Sequence, residues 1–478
     1  MKHILFLFFA LLTAGLFVFL KIDKALLPSF IGSTLTLFLI LFYHLYIEKT
    51  YSPFVSAYIV FTFLFFIVAP ITQLSIMEYT PAPEFPTKFP YRQHLAIKTN
   101  YLIILFNLSF FAAYLFFKFF LPKKLQKTIP LSSHKVLPLT ILVLLGMTVL
   151  IFAASLNFVR DEFARPSWMP SSFSIVTILV WKKVLFLVPF AGIVLAVQYL
   201  RKRPRKPINF VTILGSLLCL LVLLLWFKNP LTEKRNALGP IYICLIILAL
   251  PKLLKSNFKM LGFLFLVMII AFPLVAVITH TDATFVELIK KPSILFTEAN
   301  KGGGFIEAFS SLNYDAYANI MATIEYVQSR GLTMGFQALS AFLFFVPRGI
   351  WESKPISTGE LVGDYLIDQY DFSYSNLSNP LVSEGYINFG IIGVILAAIL
   401  LAIVTIKFMQ WLNSPNPLKK ILAYYLAIHF IFLLRGDFAN GFSYFAGTVV
   451  GVLLIPSMVA FFIKQLLRHQ KRWKLLKK

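Results

Sequence analysis

Twelve long apolar runs constrain this chain more than any other feature of its sequence. They are residues 4–20, 25–47, 53–77, 100–121, 136–157, 173–200, 209–227, 238–254, 260–279, 384–406, 419–434 and 438–463. About 20 apolar residues in helical form cross a hydrocarbon core. Backbone inside lipid has no water to bond, so such runs fold as helices that satisfy their own N–H and C=O groups. The expected fold is an all-α polytopic membrane protein with about 12 transmembrane helices. Composition agrees. The chain is 59% hydrophobic, only 13% charged, with mean hydropathy +0.80. A soluble chain averages about 25% charged residues. The same figures exclude a disordered protein.

The formal charge of +24 at first suggests a polyanion partner, but its placement says otherwise. The connections 122–135, 201–207, 252–259 and 407–420, and the tail 464–478, are strongly basic. With the N-terminus in the cytoplasm, twelve crossings put all five on the cytoplasmic side, as the positive-inside rule requires. That side then holds the whole excess, with Glu48 as its one acidic residue. The outer side is neutral. The basic charge is orientation signal beside anionic lipid, and nucleic acid is not an expected partner. The expected location is the cytoplasmic (inner) membrane, with both termini cytoplasmic. Within the sixth run Lys182 and Lys183 interrupt the apolar pattern, so its lipid-buried part is expected to begin near Val184, with 171–181 at the interface.

Residues 1–478 read as one integral membrane domain, with 464–478 as a basic cytoplasmic tail. Run 4–20 is long for a secretion signal and has no small-x-small cleavage site before Lys21, so it is expected to stay attached. The segment 280–383 is the longest outer connection and carries more than half of the acidic residues. Within it, 335–347 (GFQALSAFLFFVP) is apolar but too short to span, which suits a re-entrant or interfacial helix. Cys219 and Cys244 lie in apolar runs and read as small buried hydrophobes. The chain has no P-loop, HExxH, paired CxxC or strand-borne GxGxxG. No metal and no cofactor is expected, and the glycines 302–304 read as a loop.

What remains is charge at membrane depth on the outer side, which is costly to keep there. In VPRGIWESKPISTGE, 346–360, Arg348 offers a planar fork of donors suited to phosphate. Trp351 supplies either a stacking face for a sugar or an interfacial anchor. In LLRGDFANGF, 433–442, Arg435 and Asp437 break a near-continuous apolar stretch, either as a tight turn freed by Gly436 and Gly441 or as ligand-facing groups. In LTEKRNALGP, 231–240, Lys234 and Arg235 run against the orientation rule. An outer anionic ligand explains them, and so does pairing with Glu233. Glu360, Asp364, Asp368 and Asp371 share one helical face, which reads as a solvated face or as one carboxylate aimed at substrate. His280 and Asp282 stand where the ninth run leaves the membrane, either as a base or as satisfied end groups.

The Pro-Arg…Trp…Lys-Pro pattern in 347–355, SEGYINFGIIG at 383–393 and the Arg-Gly turn at 435–436 resemble the bacterial oligosaccharide repeat unit polymerases, the O-antigen polymerase (Wzy-type) family. Arg348 and Gly359 show the Arg-x10-Gly spacing of that family's outer loops. Arg160 and Arg165, in an earlier outer loop, are not followed by glycine at that distance. The resemblance implies a GT-C-like membrane glycosyltransferase. It would join repeat units carried on undecaprenyl pyrophosphate at the outer face of the membrane, making a surface polysaccharide such as O-antigen, capsule or exopolysaccharide. On that reading Arg348, Arg435 and Arg235, with Lys354 assisting, hold the pyrophosphate. Glu352 or His280, then Asp437 and Glu384, are the candidates for the base. Trp351 and Tyr365 hold sugar rings. The lipid bilayer is the setting, and a chain-length regulator and a flippase are the implied partners. Two other readings stay open: a ligase of similar architecture that transfers a finished glycan, and a flippase or transporter of lipid-linked sugars. Transporters commonly show paired halves and midplane polar sites, and neither is evident here.

Overall fold

The computed structural model describes residues 1–78, 80–120, 136–164, 171–202, 207–229, 233, 235–271, 291, 293 and 308–476. Among these residues every regular element is helical, and the only β pairing is an isolated bridge between Glu84 and Pro90. Among the described residues ten helices are long and apolar enough to cross a membrane: Lys2–Phe19, Leu27–Ile47, Pro53–Met77, Gln93–Phe120, Val136–Glu162, Val176–Arg201, Ile208–Phe227, Leu381–Leu412, Pro417–Arg435 and Phe438–Gln470. The eighth and ninth expected runs appear as shorter apolar helices, Asn236–Ala249 and Asn257–Ile270. Residues 272–279 of the ninth run lie outside the described set. Large apolar side chains point outward from these helices, Phe19 and Phe119 each 84% exposed. An apolar surface of that kind needs a lipid solvent.

Two of the helices are broken, each for a visible reason. In the sixth, Ser174 caps Ile175–Lys183 by accepting from Thr177 N. The chain leaves the helical region at Val184 (φ −121°, ψ −67°) and restarts at Val188–Arg201, with a proline in its first turn. The break stands where the lysine pair predicts the change of environment. The other break divides the expected 384–406 span. Phe389 (φ −142°) and Gly390 (φ +62°) leave the helical region inside Leu381–Leu412. A Cβ on Gly385 would stand 2.5 Å from the Gly393 carbonyl oxygen, so SEGYINFGIIG is a place where backbone folds closely on backbone. Glu384 therefore sits in a short segment before the break.

The chain forms two compact units. The first comprises 1–122, 252–409 and 427–442. At its centre lies Pro53–Met77, a helix buried on every side and packed against Asn257–Leu266. Helix ends meet as alternate crossing demands. At one end Glu48 pairs with Lys118 and accepts from Tyr114, while Asn257 bonds to Ser52 N and to the carbonyls of His44 and Thr50. Burial works against the Glu48 charge, but the bonds from Lys118, Thr50 N and Tyr114, with the Lys118 charge, together outweigh it and hold the carboxyl below its ordinary value. At the other end Lys21 meets Glu78, Asp23 accepts from Gln93, and Arg92 pairs with Glu325.

The second unit comprises 123–251, 410–426 and 443–478. In it Val188–Arg201 packs on Pro207–Phe227 and Val136–Ala164, which also carries Ile455–Leu476. Cys244 is buried as expected, whereas Cys219 faces outward from an apolar helix. The expectation that both were core fails because a helix in lipid need not turn its cysteines inward.

The acidic helix Thr358–Tyr370 shows its carboxylates to solvent: Glu360, Asp364, Asp368 and the following Asp371 are all exposed. Its other face rests on residues 375–379 through Gly359 and Gly363. A Cβ would lie 2.0 Å from the Leu377 carbonyl oxygen at the first and 2.1 Å from that of Ser375 at the second. Helix propensity alone would favour alanine at Gly363 by about 1 kcal/mol. We expect the contact to win, with Gly363→Ala losing about 1–3 kcal/mol as overpacking does. The check is a lowered melting temperature of the detergent-solubilised protein. A raised one would show that the helix can lift away.

Candidate functional site

Within 335–347 lies a short helix, Phe336–Phe342, opened by Gly335 in the left-handed region (φ +85°). Beyond it the chain folds into a closed turn. Lys354 donates from Nζ to the carbonyls of Leu343, Phe344 and Val346 at 3.1, 2.9 and 3.0 Å. An ammonium has three protons, and all three are used in closing this turn. Burial, and then the charge of Arg348, pull Lys354 below its ordinary lysine value. Arg348 donates through Nη1 to the Lys354 carbonyl at 2.7 Å and is otherwise exposed. Ser340 Oγ donates to the Pro355 carbonyl at 3.0 Å, tying the return strand of the turn to the short helix.

Ser357 then caps Thr358–Tyr370 by accepting from Glu360 N. This brings Thr358 onto Glu384. Thr358 Oγ1 donates to Glu384 Oε1, and Phe438 N donates to the same oxygen at 2.9 Å. Asp437 Oδ1 accepts from Ala439 N at 2.9 Å, closing the turn that follows Arg435. Both carboxylates are more than nine-tenths buried. Phe342 packs on the rings of Phe438 and Phe442, at 5.5 and 5.0 Å, so the short helix and the Arg-Gly turn hold each other in place.

These pieces enclose a cavity of about 160 Å³. Its wall includes Gln337, Ser340, Phe344, Arg348, Lys354, Thr358, Glu384 and Asp437. Four residues singled out by sequence, Arg348, Lys354, Glu384 and Asp437, thus line one space, although 89 positions separate the first from the last. Two carboxyl groups face it beside two cations and an apolar wall. Such an arrangement can bind hydroxyls, accept a proton and hold an anion at its cationic rim.

The remaining candidates lie elsewhere. Glu352 is exposed and is not part of the wall. Trp351 stands edge-on to Phe336 at 5.8 Å, its Nε1 donating to Ser353. Tyr365 is buried and donates to Glu325 Oε1 at 2.9 Å, below the acidic helix. Arg435 donates through Nη2 to Asp315 at 3.1 Å and to the Leu312 carbonyl at 3.0 Å. Gly436 supplies a positive φ (+89°) as expected, while Gly441 is helical and makes room for Leu433. His280, Lys234 and glycines 302–304 lie outside the described residues, as does the side chain of Arg235, the residue that opens Arg235–Ala249.

Sequence reasoning missed three features. Thr358 had a signal, because Ser357-x-x-Glu360 is an N-cap signature that fixes the residue beside it. Gln337 had none beyond being polar in an apolar stretch. In the second unit, Glu233 is buried between Lys182 and Lys228, and Lys182 also pairs with Glu162. Burial pushes the Lys228 ammonium below its ordinary value. No family model, curated protein or solved structure matches the chain, so the chemistry of the cavity must be argued from its own geometry.

Proposed function

We propose that this protein is a membrane glycosyltransferase that polymerises oligosaccharide repeat units carried on undecaprenyl pyrophosphate, at the outer face of the cytoplasmic membrane. The observation that carries the reading is the single cavity in which Arg348 meets the buried pair Glu384 and Asp437. The motif resemblance across 347–355, 383–393 and 435–436 supplies the reaction class. Twelve crossings, cytoplasmic termini and a GT-C-like arrangement belong to the same proposal, as do a flippase and a chain-length regulator as partners.

In this reaction a hydroxyl of the incoming unit attacks the anomeric carbon of the growing chain. The new C–O bond forms as the bond to pyrophosphate breaks, and the lipid pyrophosphate leaves with the electron pair. Glu384 takes the hydroxyl proton. Arg348, with donors to spare at the rim, binds the departing pyrophosphate oxygens. Lys354 adds positive charge there while its protons stay on the backbone. Glu384 replaces Glu352 as the preferred base because it is buried in the cavity, where a proton acceptor must be. The pyrophosphate role expected of Arg435 is not carried forward, because its guanidinium is turned to Asp315.

The test starts from a strain lacking the gene. Such cells should accumulate single repeat units on their lipid and make no polymer. Purified protein in lipid discs, given those extracted units, should produce a ladder of chain lengths. Transfer of one finished chain to a different acceptor would instead indicate a ligase. Passage of the units across sealed vesicles without any ladder would indicate a flippase.

A further inference from the structure

We infer that the inner wall of the cavity is a subsite for the single sugar ring that supplies the attacking hydroxyl, and that Gln337 binds that ring. The inference rests on the polymerase reading and adds to it a residue and a polarity. Gln337 is 7% exposed and lines the cavity, and its Oε1 is buried without a hydrogen-bond partner. A buried carbonyl in a native structure is nearly always satisfied, so an orphaned one on a residue that lines a cavity calls for a donor from outside the chain. Nearby cations do not answer it. The three Lys354 protons are on backbone carbonyls.

The missing donor has a definite chemistry. Gln337, Glu384 and Asp437 line the same space. A phosphodiester has no proton to give to a glutamine oxygen. A sugar hydroxyl, or the N–H of an N-acetyl group, has one. Polarity therefore divides the site. The neutral, donor-bearing ring goes inside, and the pyrophosphate stays at the exposed Arg348. A ring bonded to Gln337 has a hydroxyl beside Glu384, whose Oε1 is already fixed by Thr358 and Phe438 N.

The experiment compares Gln337→Met, Gln337→Glu and Glu384→Gln in lipid discs, with single repeat units extracted from the null strain as substrate. Met keeps the length of the side chain and removes the acceptor. It should raise KM for the units about tenfold, with kcat changed less than threefold, and leave the melting temperature equal or higher, because an unsatisfied group has been removed. Glu restores an acceptor oxygen and should return KM to within threefold of wild type. A residue that serves packing alone would instead lower the melting temperature and spare KM. Wild-type KM for Gln337→Met beside an inactive Glu384→Gln would overturn the subsite and keep the polymerase reading. Wild-type activity of all three would overturn both. Should Gln337→Met not fold, Gln337→Ala is measured under the same criteria.

Discussion

Glu384→Gln is expected to reduce polymer formation at least about 100-fold, the usual contribution of a positioned general base, at unchanged protein level. The amide is nearly isosteric with the carboxylate. Its carbonyl can still accept from Thr358 Oγ1 and Phe438 N, so the cavity should keep its shape. What disappears is the ability to take a proton. Glu352→Gln is the control: that carboxylate is exposed and off the cavity wall, and the variant should stay within twofold of wild type. Gel laddering in the null strain reads both. A full ladder from Glu384→Gln, or a lost one from Glu352→Gln at normal protein level, would move the base out of the cavity.

The second large effect is on stability. Arg435→Ala should destabilise the protein by about 3–5 kcal/mol, as happens when one partner of a buried ion pair is removed. Asp315 is 2% exposed and accepts from Arg435 at 3.1 Å and from Ser378 at 2.7 Å. Without the guanidinium its charge is left with one hydroxyl. Asp315→Asn added to Arg435→Ala should recover much of the loss, because it removes the uncompensated charge. Melting in detergent measures all three variants. If Arg435→Ala instead abolished polymer at a wild-type melting temperature, the arginine would act on substrate, as its place in the Arg-Gly motif suggested.

Local properties were legible early. Ten of the twelve expected runs correspond to helices long enough to cross, because a spanning helix is written in consecutive apolar residues. The helix break at Val184 was not legible, but the interruption of the sixth run by Lys182 and Lys183 was, for the same reason. So was the solvated face of Thr358–Tyr370, where four carboxylates at helical spacing have nowhere else to go. The break at Phe389 and Gly390 was hidden, since apolar residues continue through it and hydropathy cannot register a turn of the backbone.

The site was half legible. Arg348, Lys354, Glu384 and Asp437 stood out as charges in apolar surroundings, which is a property of each residue alone. Their roles were not visible, because a role depends on what else is within about 3 Å. Lys354 and Arg348 are six positions apart and equally cationic, yet one is saturated by carbonyls and the other keeps most of its donors. Arg435 and Asp437 are two apart, and only the aspartate lines the cavity. The sequence by itself determined a chain that must live in lipid, its helices and the placement of its charge, because those follow from transfer free energies summed over neighbouring residues. Only the tertiary structure decided which charged groups share a cavity and which are already satisfied. Hydrogen bonds act over a few ångströms between segments that the sequence separates by 120 residues for Arg435 and Asp315 and by 213 for Asn257 and His44.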